Sequence, residues 1–302
     1  MSHVSNELPV FVSAGDILTD LVRTGASQWL SRPGGAGWNV ARCVARLGLP
    51  TAARLARRRQ FLRRTVGRER RGRARHALHA ARGAPAFARD CSSHASACLL
   101  FMGENGADLA FDPAHLPAGW MQQVKWAHFG CISLVRQPLG DTLAALAAEL
   151  RSRGVKISFD PNYRNLMEHG YEPTLRKMAA LADLIKVSDE DLRLLFKTDD
   201  EAHALAQLRA MNPAATVLVT RGPETAVLID GAATFEARPP RVEVVDTVGA
   251  GDASIGGLLF SLMTASQRAW PEHLAFALAA GAAACRHAGA HAPSLDEVVA
   301  LL

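Results

Sequence analysis

Between Trp126 and Thr220 the chain alternates short apolar runs with amphipathic stretches: WAHFGCISL, DTLAALAAELRSRG, VKISFDPN, DLIKVS, a polar start at Asp189, ALAQLRAM and TVLVT. No other feature restricts the architecture as much. Strands that recur one helix apart pair in parallel, and a parallel sheet must be covered on both faces. The expectation is an α/β fold with a central, mainly parallel sheet flanked by helices. WAHFGCISL, VKISFDPN, DLIKVS and TVLVT are its strands. The helix read over 141–154 takes Asp141 or Thr142 as its cap, sets Leu143, Leu146 and Leu150 on one side and stops at Gly154.

Outside that block the signals are shorter. The run over 9–14 reads as a buried first strand, ILTDLV as an extended excursion and SRPGGAGWN as a loop. From Asn39, the spacing of Val40, Val44 and Leu47 predicts a helix closed by Gly48. TAVLIDGAATFEA reads as a hairpin turning at Asp230-Gly231, and SIGGLLFSLM and HLAFALAAGAAACRH as the last helices. With no repeat or linker to divide it, 1–302 is expected to be a single domain.

Apolar residues make up 49% of the chain, enough for one sizeable core. No apolar run approaches the roughly 18 residues of a membrane span, and the first residues lack the basic and apolar regions of a signal peptide. A cytoplasmic location without membrane partners is the expectation. Five cysteines without a C-x-x-C pair are expected to be reduced thiols. The net charge is +5, yet Arg54 to Arg89 holds 13 arginines against Glu69 alone, a local +12 that leaves −7 for the rest. One segment makes the chain basic.

The chemistry is concentrated in RVEVVDTVGAGDASIGGLLFSL, read as an alternating strand, a tight Gly-Ala-Gly turn and a helix. The first amides of a helix lack intrahelical partners, and the helix dipole adds positive potential there. Gly249 and Gly251 let the backbone approach an anion, so the amides of Gly249, Ala250 and Gly251 suit a phosphoryl group. Asp252 suits a base that takes a proton from an attacking hydroxyl. The plain alternative is a tight turn with Asp252 as helix cap. There is no G-x-x-x-x-G-K-[ST], and Ser254 stands where a dinucleotide fingerprint needs its third glycine.

DTVGAGDAS closely resembles the second signature of the PfkB carbohydrate kinases, D-T-x-G-A-G-D-x-F. GGAGWNVARCVARLGLP, about 210 residues earlier, resembles their first signature, the glycine box G-G-x-x-x-N. The resemblance implies a ribokinase-like fold with a small β lid from about 17–31 and 97–111, and ATP-dependent phosphorylation of a small sugar with Mg²⁺. It implies Asp252 as catalytic base and Gly249, Ala250 and Gly251 as anion hole. Asp20 would bind sugar hydroxyls, and Gly35 and Asn39 would contact the substrate; an ordinary exposed acid is the other reading of Asp20.

SFDPNYR is similar to bacterial fructokinase-type members and implies Arg164 near the phosphate path, although turn chemistry at Asp160-Pro161-Asn162 accounts for the same residues. Ser188 and Asp191 stand where the family has N-x-x-E, with Asp191 organising water around Mg²⁺. An acidic first turn that complements the helix dipole is the alternative. VTRGPETAV resembles the nucleotide loop, with Thr225 replacing the second glycine and Thr220 and Gly222 remaining. Gly289 falls where the family lines its adenine pocket. His287 and His291 are four apart, but a glycine interrupts the helix and no third ligand is evident, which argues against a metal site.

Fructose is the leading substrate, with 2-keto-3-deoxygluconate, ribose or a nucleoside as alternatives. A homodimer through lid strands is compatible with the resemblance. From a different class, a non-catalytic sugar sensor or polyanion-binding relative is retained; Asp252 favours the enzyme.

The resemblance covers roughly 9–53 and 97–302 and fails between them, where 54–96 has neither strand alternation nor enough apolar residues to cover a sheet. Length is preserved while composition changes at both edges, as a compensated reading-frame shift in a GC-rich gene would produce. An arginine-rich arm for RNA or a solvated insert are the rivals, but no motif and no aromatic beyond Phe61 and Phe87 interleaves the arginines, which argues against nucleic acid. Translating the underlying DNA in the other two frames is expected to yield an apolar-alternating segment; two polar frames would reject the shift.

Overall fold

The structure, a computed structural model, describes residues 8–23, 27–53, 107–116 and 118–302. The arginine-rich 54–96 segment and the 97–106 part of the expected lid lie outside the described residues. In chain order the strands are β1 (Phe11–Ser13), β2 (Leu18–Arg23), β3 (Trp29–Gly34), β4 (Thr51–Ala53), β5 (Trp126–Gly130), β6 (Lys156–Asp160), β7 (Leu184–Ser188), β8 (Thr216–Thr220), β9 (Ala226–Asp230) and β10 (Ala233–Ala237). The helices are α1 (Ala36–Leu47), α2 (Trp120–Gln123), α3 (Leu139–Ser152), α4 (Glu172–Leu181), α5 (Asp189–Phe196), α6 (Glu201–Met211), α7 (Ala250–Thr264), α8 (Trp270–Cys285) and α9 (Leu295–Val299).

Among the described residues eight strands form one sheet, ordered β10-β9-β8-β7-β6-β5-β1-β4. Pairing is parallel from β4 to β8 and antiparallel onto β9 and β10. The mainly parallel sheet is as expected. β2 and β3 form a separate antiparallel pair in which Leu18 faces Gly34 and Asp20 faces Arg32. No helix among the described residues is long and apolar enough to cross a membrane.

Period-two alternation sorts the strand side chains into two layers. Val12, Ile157, Phe159, Ile185, Val187, Val217 and Val219 pack with residues of α3 to α6, whereas Phe11, Leu184 and Leu218 pack with α1, α7 and α8. α7 and α8 are apolar on nearly every side, as suits helices enclosed by a sheet and by each other. Their contact is close: a Cβ on Gly257 would lie 2.6 Å from the Ala280 Cβ.

Several expected boundaries are corrected, most of them by a tertiary contact. SRPG is strand rather than loop because β2 supplies its pairing partner. α1 begins at Ala36, three residues before Asn39, because Asp16 caps it from afar: its Oδ2 accepts from the Ala36 amide (3.1 Å) and its carbonyl from the Trp38 amide (3.1 Å). α3 begins at Leu139, with Pro138 at its N-cap and Asp141 inside the first turn, so neither Asp141 nor Thr142 caps it. β5 stops at Gly130, opposite the last residue of β6, and Cys131 turns away with φ 57°. RVEVV is not a strand: it lies outside the sheet, and the Val245 and Asp246 amides donate to the Cys285 carbonyl instead (2.8 and 3.2 Å). Cys43, Cys131 and Cys285 are free thiols.

Gly257→Val should overpack the α7–α8 contact and cost about 1–3 kcal/mol, read as a lower urea midpoint with an unchanged m-value.

Candidate active site

Two cavities meet near the carboxyl ends of the parallel strands, where open α/β sheets bind ligands. The smaller, about 300 Å³, is walled by polar groups including Asp16, Asp20, Asn39, Arg164 and Asp252. The larger, about 970 Å³, runs past Ser188, Asp191, Thr220 and Gly222 towards Pro239, Val244 and Leu278. Asn162, Arg164, Lys186, Thr247 and Gly251 border both. That shared wall is the seam between them.

Gly249 is the N-cap of α7, with φ 79°, and a Cβ there would meet the Ala290 Cβ at 2.8 Å. Glycine is required on both counts. The Ala250 amide donates to the Thr247 carbonyl (3.2 Å), while the amides of Gly249, Gly251 and Asp252 make no backbone hydrogen bond among the described residues. The amides left free at this turn are those of Gly249, Gly251 and Asp252 rather than of Gly249, Ala250 and Gly251, because the turn consumes the Ala250 donor.

Asp252 is inside the first turn of α7, where its Oδ2 accepts from Asn39 Nδ2 at 2.8 Å. Burial first, with Asp160 and Asp16 nearby, pushes its carboxyl up to about 7, against the lowering effects of the Asn39 hydrogen bond and the Lys186 charge. Such a group gives up and takes a proton near neutrality. The buried Asn39 Oδ1 has no partner among the described residues and lies beside the smaller cavity, an acceptor suited to a hydroxyl. Asp20 lies over Gly34, whose Cβ would meet its Oδ2 at 2.0 Å, and Gly35 lines the same cavity.

Lys186 escaped the sequence reading. Leu184 faces α7, so alternation along β7 carries Lys186 to the same face, where its Nζ lies 3.1 Å from Asp160 Oδ2 and 3.1 Å from where a Gly251 Cβ would stand. Burial works against its charge, but Asp160 and Asp191 outweigh burial and hold Lys186 protonated. A buried ammonium beside the anion-hole turn suits charge that develops on a transferred anion. The signal was the apolar alternation of DLIKVS, broken by a lysine. Asp16, Cys131 and Thr247 also line the smaller cavity unforeseen.

The nucleotide-side candidates divide. Thr220, Gly222, Ser188 and Asp191 line the larger cavity, but Gly289 lines neither; its amide donates to Asp246 Oδ2 (2.7 Å) behind the Gly249 turn. Asp191 is first a cap: Oδ1 accepts from the Tyr163 amide (2.7 Å) and Oδ2 from the Ser188 amide and hydroxyl (3.0 and 2.7 Å). Asp160 does make the turn, its Oδ1 accepting from the Asn162 amide (3.1 Å), and Arg164 projects beyond it into the seam. His287 and His291 do have a third neighbour, Glu297, which corrects the sequence argument against them.

The pfkB family carbohydrate kinase profile matches residues 97–297. The chain belongs to the pfkB family of carbohydrate kinases. The match begins where the arginine-rich segment ends. This sugar kinase is 35% identical to fructokinase from Klebsiella pneumoniae over 257 residues, 82% of each protein, and 31% identical to aminoimidazole riboside kinase from Salmonella typhimurium over 287 residues, 90% of this chain and 86% of the relative. A crystal structure of aminoimidazole riboside kinase from Salmonella enterica complexed with aminoimidazole riboside and an ATP analogue aligns with TM-score 0.75 at 27% identity, covering 96% of this chain and 99% of that one. Membership of this family indicates a sugar kinase enzyme and so favours the catalytic reading.

A carboxyl raised to about 7 is neutral in the folded chain where its unfolded counterpart, near 3.9, is ionised. Its protonated form therefore adds stability that is complete below about pH 4 and is lost as pH rises through 7. Asp252→Asn should raise the unfolding free energy at pH 8, by an amount on the order of a few kcal/mol, and leave it nearly unchanged at pH 4, read by urea titration at the two pH values. Asn39→Ala, which deletes the donor to the ionised form, should move the Asp252 carbon-13 titration upward.

Proposed function

We propose that the protein phosphorylates a hydroxyl of a small sugar, fructose foremost, with ATP as donor. The observation that carries this is the position of Asp252 in the smaller, polar and sugar-sized cavity, next to Gly251 at its junction with the other, which is large enough for a nucleotide. Asp20 and Asn39 accept the sugar hydroxyls, and the three aspartates in that wall, Asp16, Asp20 and Asp252, disfavour an anionic acid such as 2-keto-3-deoxygluconate. Asp252 takes the proton of the attacking hydroxyl as the oxygen bonds to the γ-phosphorus. The free amides at the start of α7, Lys186 and Arg164 receive the charge that develops on the phosphoryl oxygens as the bond to the β-phosphate breaks.

Thr220, Gly222 and Ser188 border the bound nucleotide. Magnesium fits an oxygen-lined wall, and Glu190 and Asp191, on the larger cavity, would hold it through its waters. It would neutralise phosphate charge. The β2–β3 pair forms a lid that excludes water, and lid strands join two copies in a homodimer. The whole chain acts as one kinase domain, with 54–96 read from a shifted frame.

A second substrate, aminoimidazole riboside, is favoured by the relative that shares 31% identity over 90% of this chain. A panel of fructose, ribose, aminoimidazole riboside and nucleosides with Mg-ATP should give the highest kcat/KM for fructose, and a higher value for the riboside would replace it. Asp252→Asn should lower kcat by about 10²–10⁴-fold on the accepted sugar, and kcat/KM of the parent should fall as pH drops through about 7, because the base must be ionised. An Asp252→Asn variant as active as the parent would remove Asp252 from the mechanism.

A further inference from the structure

Behind the Gly249 turn, the segment after α8 carries His287 and His291 and leads into α9, which carries Glu297. The two imidazoles converge on one oxygen: His287 Nε2 lies 3.0 Å and His291 Nε2 3.2 Å from Glu297 Oε1, with the rings stacked at 3.8 Å between centroids. All three candidate ligand atoms fit within 4.8 Å of one another. Zinc bonds of 2.0–2.1 Å in a tetrahedral shell separate ligand atoms by about 3.3 Å. The nitrogen–oxygen spacings are within a few tenths of an ångström of that.

We propose that His287, His291 and Glu297 form a site for one divalent transition-metal ion of the zinc class. Two imidazoles and a carboxylate are borderline ligands that suit zinc, cobalt or nickel; magnesium prefers oxygen. The carboxylate is held ready. The Ser294 amide donates to Glu297 Oε2 (2.7 Å), and the Ser294 hydroxyl accepts from the Glu297 amide (3.3 Å). This anchors Oε2 and leaves Oε1 for the cluster, an outer-shell arrangement of the kind that orients metal ligands.

His287 is exposed, so the fourth position opens to solvent. Arg46, 3.8 Å from Glu297 Oε2 and half-exposed, offsets part of the attraction. The site is distinct from the catalytic seam, since none of the three ligands lines either cavity. It is nonetheless coupled to it. Gly289 and Ala290, between the histidines, meet Asp246 and Gly249, so an ion here ties α8 and α9 together behind the anion-hole turn.

The test uses the full chain without an affinity tag, freed of metal by chelation, and titrated with Zn²⁺ alone by calorimetry and with Co²⁺ as a spectroscopic probe. One equivalent should bind, with visible cobalt bands of low-symmetry coordination and a rise in Tm with metal concentration. His287→Ala and His291→Ala should each weaken binding by about tenfold or more and remove the bands, while His203→Ala leaves both unchanged. His287→Ala alone decides the matter if His291→Ala folds poorly, because the exposed His287 ring is not part of the core. No uptake by the parent, or uptake that survives His287→Ala, would overturn the site.

Discussion

The structure turns on a buried cluster of charge at the end of the parallel sheet: the Asp252 carboxylate, the Asn39 amide that holds it from 213 residues away, and the Lys186–Asp160 pair beside it. Buried ions are costly unless paired and hydrogen-bonded. Asp252 is only partly compensated, since one donor reaches it while burial and two other carboxylates push its pKa up. The fold therefore keeps a carboxyl near its titration midpoint at neutral pH, in a place that costs stability when it is ionised.

That cluster can be assembled because the carboxyl ends of parallel strands lie side by side. β6 ends on Asp160, β7 carries Lys186 two residues past the core residue Leu184, and α7 aims its first turn at the same spot. The same face of the sheet holds the hydrogen-bonded pair of His128 and Ser158 (3.0 Å), so a polar file runs through an otherwise apolar layer. Close glycine contacts press the elements together: Gly249 against Ala290, Gly251 against Lys186 and Gly257 against Ala280. Each fixes a distance on which the seam between the two cavities depends.

Strands and helices were most legible where their periodicity is local. DLIKVS, TVLVT and the Asp230-Gly231 hairpin could be read directly, because alternation and turn chemistry act over a few residues. The misses have the opposite character. SRPG is strand because β2 lies beside it, α1 starts early because Asp16 reaches its first amides, and RVEVV leaves the sheet although its own alternation reads as a strand. Glu297 completes a cluster with His287 and His291 only because α9 folds back on the end of α8.

By itself the sequence determined the mainly parallel sheet, the glycine turn at the head of α7 and Asp252 as its acid, since these follow from spacing within single elements. Tertiary structure alone decided what surrounds that acid. The Asn39 hydrogen bond, the Lys186 ammonium beside Gly251, the diversion of the Ala250 amide into the turn and the placement of Gly289 behind it all depend on chain segments brought together from far apart. The physical reason is that a side chain's type is local, whereas its desolvation and its partners belong to the packed whole.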